Sequence, residues 1–297
     1  MNFKHDIAMM AKQTLLDNGI AVDNNWDDHT LCINYFDVVN RWFVNKNKCK
    51  VVYSKELLEK LPTLTQEERD AIRDIEYKLN NGISLTSYMS KSIWNSDIRK
   101  SDVLLKNWNI YHLHLEQLDL LKRYYTKPNL LFFQPKGNMI HFIDVIPHPR
   151  GSSWFNRDLL EIVYYKCPLL LIFIKGITPN LDIPDEEIHN LSKNINTIIS
   201  FHGGALMPSN FGVMSSGHSH HAASETIKIF NLLEKCEKVL MSKDNIIKSM
   251  IQQELGVQID NSLDYKLTID NDIFMVTETN SQWKCQLFKL YRTLCGL

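Results

Sequence analysis

The residues able to do chemistry crowd into positions 108–157, WNIYHLHLEQLDLLKRYYTKPNLLFFQPKGNMIHFIDVIPHPRGSSWFNR. His112 and His114 stand two apart in a run with strand-like alternation, 108–115. Successive strand side chains point to opposite faces, so the two imidazoles share one side and Tyr111, Leu113 and Leu115 the other. Imidazole gives and takes protons near neutral pH, so a same-sided pair suits acid–base work. A third histidine, His148, is held between Pro147 and Pro149 and followed by Arg150. Between 120 and 157 there are six cations (Lys122, Arg123, Lys127, Lys136, Arg150, Arg157) against one acid, Asp144. Tyr124, Tyr125 and Trp154 lie among them. Local positive charge with aromatic faces suits a phosphate-rich polymer whose unpaired bases can stack. Arg123 and Arg150 are candidate phosphate holders, because a guanidinium binds two oxygens at once, with Lys122 and Tyr124 beside them. The plainer reading has the long cations covering a sheet surface and the histidines satisfied by neighbours at the edge of a core.

A second group lies in 202–221, HGGALMPSNFGVMSSGHSHH, which holds Gly203, Gly204, Gly212 and Gly217. A glycine-rich loop ahead of a helix can bind an anion through backbone N–H groups. The spacing is not GxGxxG and no Walker lysine follows Gly217. His202, His218, His220 and His221 form an alternative metal-ligand set, since imidazole suits zinc, copper and nickel. There is no HExxH, and the alternatives are an anion loop or a plain surface loop. The six cysteines, at 32, 49, 167, 236, 285 and 295, form no CxxC pair. That spacing argues against a zinc ribbon and a disulfide scaffold, so no cofactor is expected.

The elements that must position these groups follow from periodicity. Residues 129–134 (NLLFFQ) read as a strand covered on both faces, and Asn138 to Ile146 as its hairpin partner across a Lys-Gly-Asn turn. His141 and Asp144 fall on opposite faces of that partner. Upstream, apolar spacing predicts a helix over 3–18, another from Asn34 to Phe43, a short strand at 50–53, and a helix opened by the capping box Thr65-Gln-Glu-Glu. Downstream it predicts a helix over 156–165, a buried strand over 169–174 and a helix opened by Asp182-Ile-Pro-Asp-Glu-Glu. A long helix capped by Ser216 or Ser219 comes next, followed by a hairpin across Asp270-Asn271-Asp272. The expected class is α+β: a central, mostly antiparallel sheet flanked by helices, with a second α+β unit toward the C-terminus. The expected parts are 1–95 (mainly helical), 96–175 (β-rich, carrying the candidate site) and 176–297 (α+β).

The chain has 297 residues, a formal net charge of −1, 44% apolar residues and 23% charged ones, the composition of a folded globular protein. No apolar run reaches the ~20 residues a membrane helix needs, so no membrane partner is expected. The N-terminus, MNFKHDIAMMAK, lacks the pattern of a secretory signal, and a cytoplasmic location is expected.

A helix followed by three close strands, with LLFF in the middle strand, resembles the small ribonuclease toxins of the RelE/HigB type over about residues 65–160. The resemblance implies a sheet that carries basic and acid–base residues to cut RNA, and a small protein antitoxin as partner. The expected function is RNA cleavage of a toxin or phage-defence kind without metal, with His112 and His114 in proton transfer and His148 as a further candidate. Two other readings stay open. One is a non-catalytic nucleic-acid or protein partner, such as an antitoxin or adaptor; the other is a metal-dependent hydrolase built on the 202–221 histidines.

Overall fold

The computed structural model describes residues 1–41, 48–90, 102–117, 125, 128–148, 155–166, 171–177, 179, 183–192, 196–209, 212–259, 261–271 and 273–295. Lys122, Arg123, Tyr124 and Arg150 lie outside the described residues.

The first elements in chain order are helices α1 (Phe3–Asp17) and α2 (Asp28–Val39), strand β1 (Lys50–Tyr53), and helices α3 (Lys55–Lys60), α4 (Gln66–Asn81) and α5 (Val103–Trp108). Strands β2 (Tyr111–His114), β3 (Asn129–Lys136) and β4 (Met139–Pro147) follow, then α6 (Arg157–Lys166), β5 (Ile172–Lys175), α7 (Asp185–Leu191), β6 (Ile199–Phe201) and β7 (Gly204–Met207). The last elements are α8 (His220–Ser242), α9 (Asp244–Leu255), β8 (Tyr265–Asp270), β9 (Ile273–Glu278), β10 (Lys284–Gln286) and α10 (Leu287–Cys295). The fold is α+β. It divides into two compact units, one of residues 37–222 and one assembled from residues 1–36 and 223–297.

The 37–222 unit is organised by a four-stranded sheet in the order β1-β4-β3-β2. β2, β3 and β4 pair antiparallel, and β1 joins β4 in parallel. The sheet has a core on each side. Leu113, Leu131, Phe133 and Phe142 pack with Ile72, Ile75 and Leu79 of α4. Ile110, Leu130, Phe132 and Ile143 pack with Leu159, Leu160 and Val163 of α6. Two covered faces explain why LLFFQ is buried without alternation. At about 1.5–3 kcal/mol per fully buried large apolar side chain, this double packing is the main stabilising term of the unit.

Helix α4 forms where the capping box places it. The Thr65 hydroxyl accepts from the Glu68 amide, the Glu68 carboxylate accepts from the Thr65 amide, and Gly82 closes the helix in the left-handed conformation at φ 68°. In β4 the pairing jumps between Phe132 and Phe133, so Ile143 is the extra residue of a bulge. Asp144 meets Lys60 of α3 at 2.6 Å, and the bulge breaks the simple alternation on which the opposite facing of His141 and Asp144 was expected.

Four local expectations change, one being the strand expected buried over 169–174: β5 runs Ile172–Lys175, its side chains half-buried to exposed. The strand expected over 108–115 begins only at Tyr111, because Asp102 caps α5 through the amides of Leu104 and Leu105 and Trp108 ends that helix. The helix expected from Asn34 starts earlier, at Asp28. The Gly-rich stretch is in part a strand: β7 is the middle of a second antiparallel sheet, β5-β7-β6. A Cβ at Gly204 would meet the Phe173 ring at 2.5 Å and the Ile174 carbonyl at 2.7 Å, so this glycine marks close strand packing.

The second unit has its own three-stranded sheet, β10-β9-β8, all antiparallel. Its core joins Phe3 and Ile7 of α1 to Leu233 of α8, Ile247 of α9, Leu267, Val276 and Trp283. Among the described residues no helix is long and apolar enough to cross a membrane.

Candidate functional site

The histidine site is built where α5 hands the chain to β2. Asp102 does two jobs there. Its Oδ1 accepts from the amides of Leu104 and Leu105 at 2.9 and 3.2 Å, which fixes the carboxylate at the helix start. Its Oδ2 then lies 2.8 Å from Nδ1 of His112, and both side chains are largely buried.

Strand alternation carries His114 to the same side, its ring centroid 6.5 Å from that of His112. His148, one residue past the end of β4, comes from the far side of the sheet order to 5.9 Å from His114. The register explains the approach, because His114 pairs with Leu130, Leu130 with Ile146, and the His148 amide donates to the Pro128 carbonyl. The three histidines singled out from the sequence therefore form one cluster.

Their environments differ. His114 is buried and stacked on Tyr125, with ring centroids 3.5 Å apart and planes 7° from parallel. Tyr125 is tied down through a hydroxyl hydrogen bond to the Met89 carbonyl. Burial, with the His112 and His148 rings adding to it, pushes the His114 pKa down to about 3. His114 is thus neutral at physiological pH, and its buried Nδ1 has no hydrogen-bond partner. A ring held neutral carries no extra proton to donate near neutrality, which distinguishes His114 from a general acid.

Sequence reasoning missed a second site. His218 and Asp37 form a buried pair, Nδ1 to Oδ2, at 3.0 Å, and the Ser219 amide donates to both oxygens of the same carboxylate at 3.1 and 3.3 Å. Burial raises the Asp37 carboxyl pKa, but the His218 hydrogen bond, the Lys106 charge and Ser219 outweigh it and hold the group below its ordinary value. The Lys106 ammonium donates to the Gly217 carbonyl at 2.8 Å. Burial, reinforced by Arg41, pushes the Lys106 pKa down to about 8 against the pull of Asp37. Asp37, Arg41, Lys106 and Ser219 border a cavity of about 240 Å³. Asp37, Asn40 and Arg41 line it from the end of α2 and just beyond, Asp102 and Lys106 from α5, and Ser219 and His221 from the start of α8. Two features were visible in the sequence: an Asp ahead of Leu104-Leu105 as an N-cap, and Ser219 ahead of α8, which caps it through the Ala222 amide. Nothing local links positions 37 and 218.

The four histidines of the metal alternative disperse. His202 sits in the β6–β7 turn at φ 46°, 2.6 Å from Glu161 and stacked on Tyr164. His218 is engaged by Asp37, and His221 meets the Asn40 amide at 3.1 Å. His220 opens α8 on an exposed position. Among the described residues no three His, Cys, Asp or Glu side chains converge as a metal site requires. Comparison of the chain with protein-family models, with curated proteins and with solved structures finds no match.

Proposed function

We propose that the protein cuts RNA by metal-free acid–base catalysis at the His112–His114–His148 cluster. The observation that carries this reading is the clustering itself, with Asp102 2.8 Å from His112. In this scheme Nε2 of His112 takes the proton of a ribose 2′-hydroxyl. The 2′-oxygen attacks the adjacent phosphorus, and the bond to the 5′-oxygen breaks. Protonated His148 gives its proton to that leaving oxygen. The products are a 2′,3′-cyclic phosphate end and a 5′-hydroxyl end. The imidazolium that forms on His112 is stabilised by the Asp102 carboxylate, the role such a carboxylate plays beside a catalytic histidine. His114, neutral and stacked on Tyr125, acts as a positioning residue between the two proton carriers.

The cations among 120–157 supply phosphate contacts in this reading, with Lys122, Arg123, Tyr124 and Arg150 as the residues to mutate. A cytoplasmic toxin or phage-defence ribonuclease, held in check by a small protein antitoxin, is the matching biological setting.

The test is RNA incubated with purified protein, with and without chelator. Cleavage that survives chelator and leaves cyclic phosphate ends is expected, with His112→Gln and His148→Gln each about 10²-fold slower. Full activity in both variants, or dependence on added metal, would overturn the assignment.

A further inference from the structure

Another cavity of the 37–222 unit, of about 200 Å³, is lined by the parallel pair β1–β4 and by helix α6. None of His112, His114 and His148 lines it. Val52 of β1 and His141 of β4 are register partners on its sheet side, and α6 contributes Ile162 and Val163. Ile143, the extra residue of the β4 bulge, adds to the apolar wall.

The polar groups at this cavity are unequal. The Ser54 hydroxyl is committed to the fold, accepting from the Leu57 amide and donating to the Ile143 carbonyl. The Tyr53 hydroxyl donates to Glu76. Burial, with Lys136 adding to it, holds the His141 pKa below its ordinary 6.5, so that ring is neutral at physiological pH. Lys166 differs from all three. It is exposed at the end of α6, makes no ion pair among the described residues, and no acid lines the cavity with it. The carbonyl end of α6 places about half a negative charge beside Lys166, which one ammonium charge exceeds. The cavity therefore joins an apolar space to a net positive rim. An engineered apolar cavity of roughly 150 Å³ admits benzene. At about 200 Å³ this one admits a ring with a short substituent.

We propose that this cavity binds a small carboxylic acid with an apolar body the size of one ring, the body lying against β1–β4 and α6 and the carboxylate meeting the Lys166 ammonium at the rim. A neutral ligand of the same shape forgoes that charge, and an amine meets repulsion from it. Binding needs no proton transfer, so it stands or falls separately from RNA cleavage.

The full-length wild-type protein is tested first, by thermal melts and isothermal titration with phenylacetate, its neutral isostere phenylacetamide, and 2-phenylethylamine. Phenylacetate is expected to bind and to raise Tm. Phenylacetamide should bind about three- to fivefold more weakly, the scale of one exposed ion pair, and the amine more weakly still. Phenylacetamide or the amine binding as tightly as phenylacetate, or no response to phenylacetate at millimolar concentration, overturns the proposal without any variant. Lys166→Gln should erase the preference for phenylacetate over phenylacetamide and leave phenylacetamide binding as it was. Val52→Trp, at a position 37% exposed, places an indole in the cavity and should abolish binding of both. A preference that survives Lys166→Gln, or undiminished binding in Val52→Trp folded by circular dichroism, overturns the placement. Lys166 is exposed at a helix end, so its replacement decides the question even where Val52→Trp fails to fold.

Discussion

Replacing His114 by Phe should make the 37–222 unit less sensitive to acid. In the folded protein the His114 pKa is pushed down to about 3, from an ordinary 6.5, chiefly by burial. The folded chain therefore keeps this ring neutral, while the unfolded chain protonates it below pH 6.5. The stabilising contribution is complete above 6.5 and is lost progressively as pH falls from 6.5 toward 3, because the unfolded state then binds the extra proton. One proton gives a slope of at most about 1.4 kcal/mol per pH unit, or about 2.7 kcal/mol between pH 6.5 and 4.5. Phe preserves the stack on Tyr125 and removes a buried ring nitrogen that has no hydrogen-bond partner, so at pH 7.5 the variant should lie within about 1 kcal/mol of wild type. Urea unfolding of both proteins at pH 7.5, 6.5, 5.5 and 4.5 reads the difference directly, since other titrating groups cancel in the comparison. Parallel pH profiles would show that His114 is not held neutral by the fold, and the argument that excludes it as a proton donor would fail with them.

Other consequences are more local. Thr65→Ala removes one half of the capping box of α4 and should cost about 0.5–2 kcal/mol in unfolding free energy, with Thr65→Ser restoring most of it. Gly204→Ala drives a methyl group into the Phe173 ring and the Ile174 carbonyl, and should lower stability by about 1–3 kcal/mol by overpacking; a variant as stable as wild type would contradict the close packing of β5 on β7. If about four phosphates are contacted by the cations among 120–157, single-stranded RNA binding should weaken roughly 50-fold between about 50 and 200 mM salt, measured by fluorescence anisotropy. A salt-independent affinity would remove the nucleic-acid reading of that segment.

The sequence made legible whatever depends on neighbours within a few residues. The Thr65-to-Glu68 box, the double-sided burial of LLFF and the same-sidedness of His112 and His114 are local consequences of helix and strand geometry, and the fold reproduces each. What it hid falls into two kinds. Gly204 looked like part of a loop because glycine disfavours strands in isolation; only the Phe173 ring across the sheet explains why a strand needs it. The Asp37–His218 pair spans 181 residues, and no periodicity reports a contact between a helix interior and the turn before α8. Asp102 lay between these cases. Its helix-capping role could be read from Leu104-Leu105 after it, but its second oxygen finds His112 only because Asn109, left-handed at φ 55°, ends α5 and turns the chain straight into β2.

That turn also explains why one carboxylate can serve the histidines and the cavity together. A helix N-cap is among the best-fixed side chains in a protein, because the backbone amides that orient it cannot move without unwinding the first turn. With Oδ1 committed to Leu104 and Leu105, the direction of Oδ2 is set before His112 is added, so the imidazole docks against a preorganised charge. Lys106 follows on the same six-residue helix and reaches the cavity that Asp102 lines. The spacing between the His112 ring and this cavity is therefore governed by a single short, capped helix.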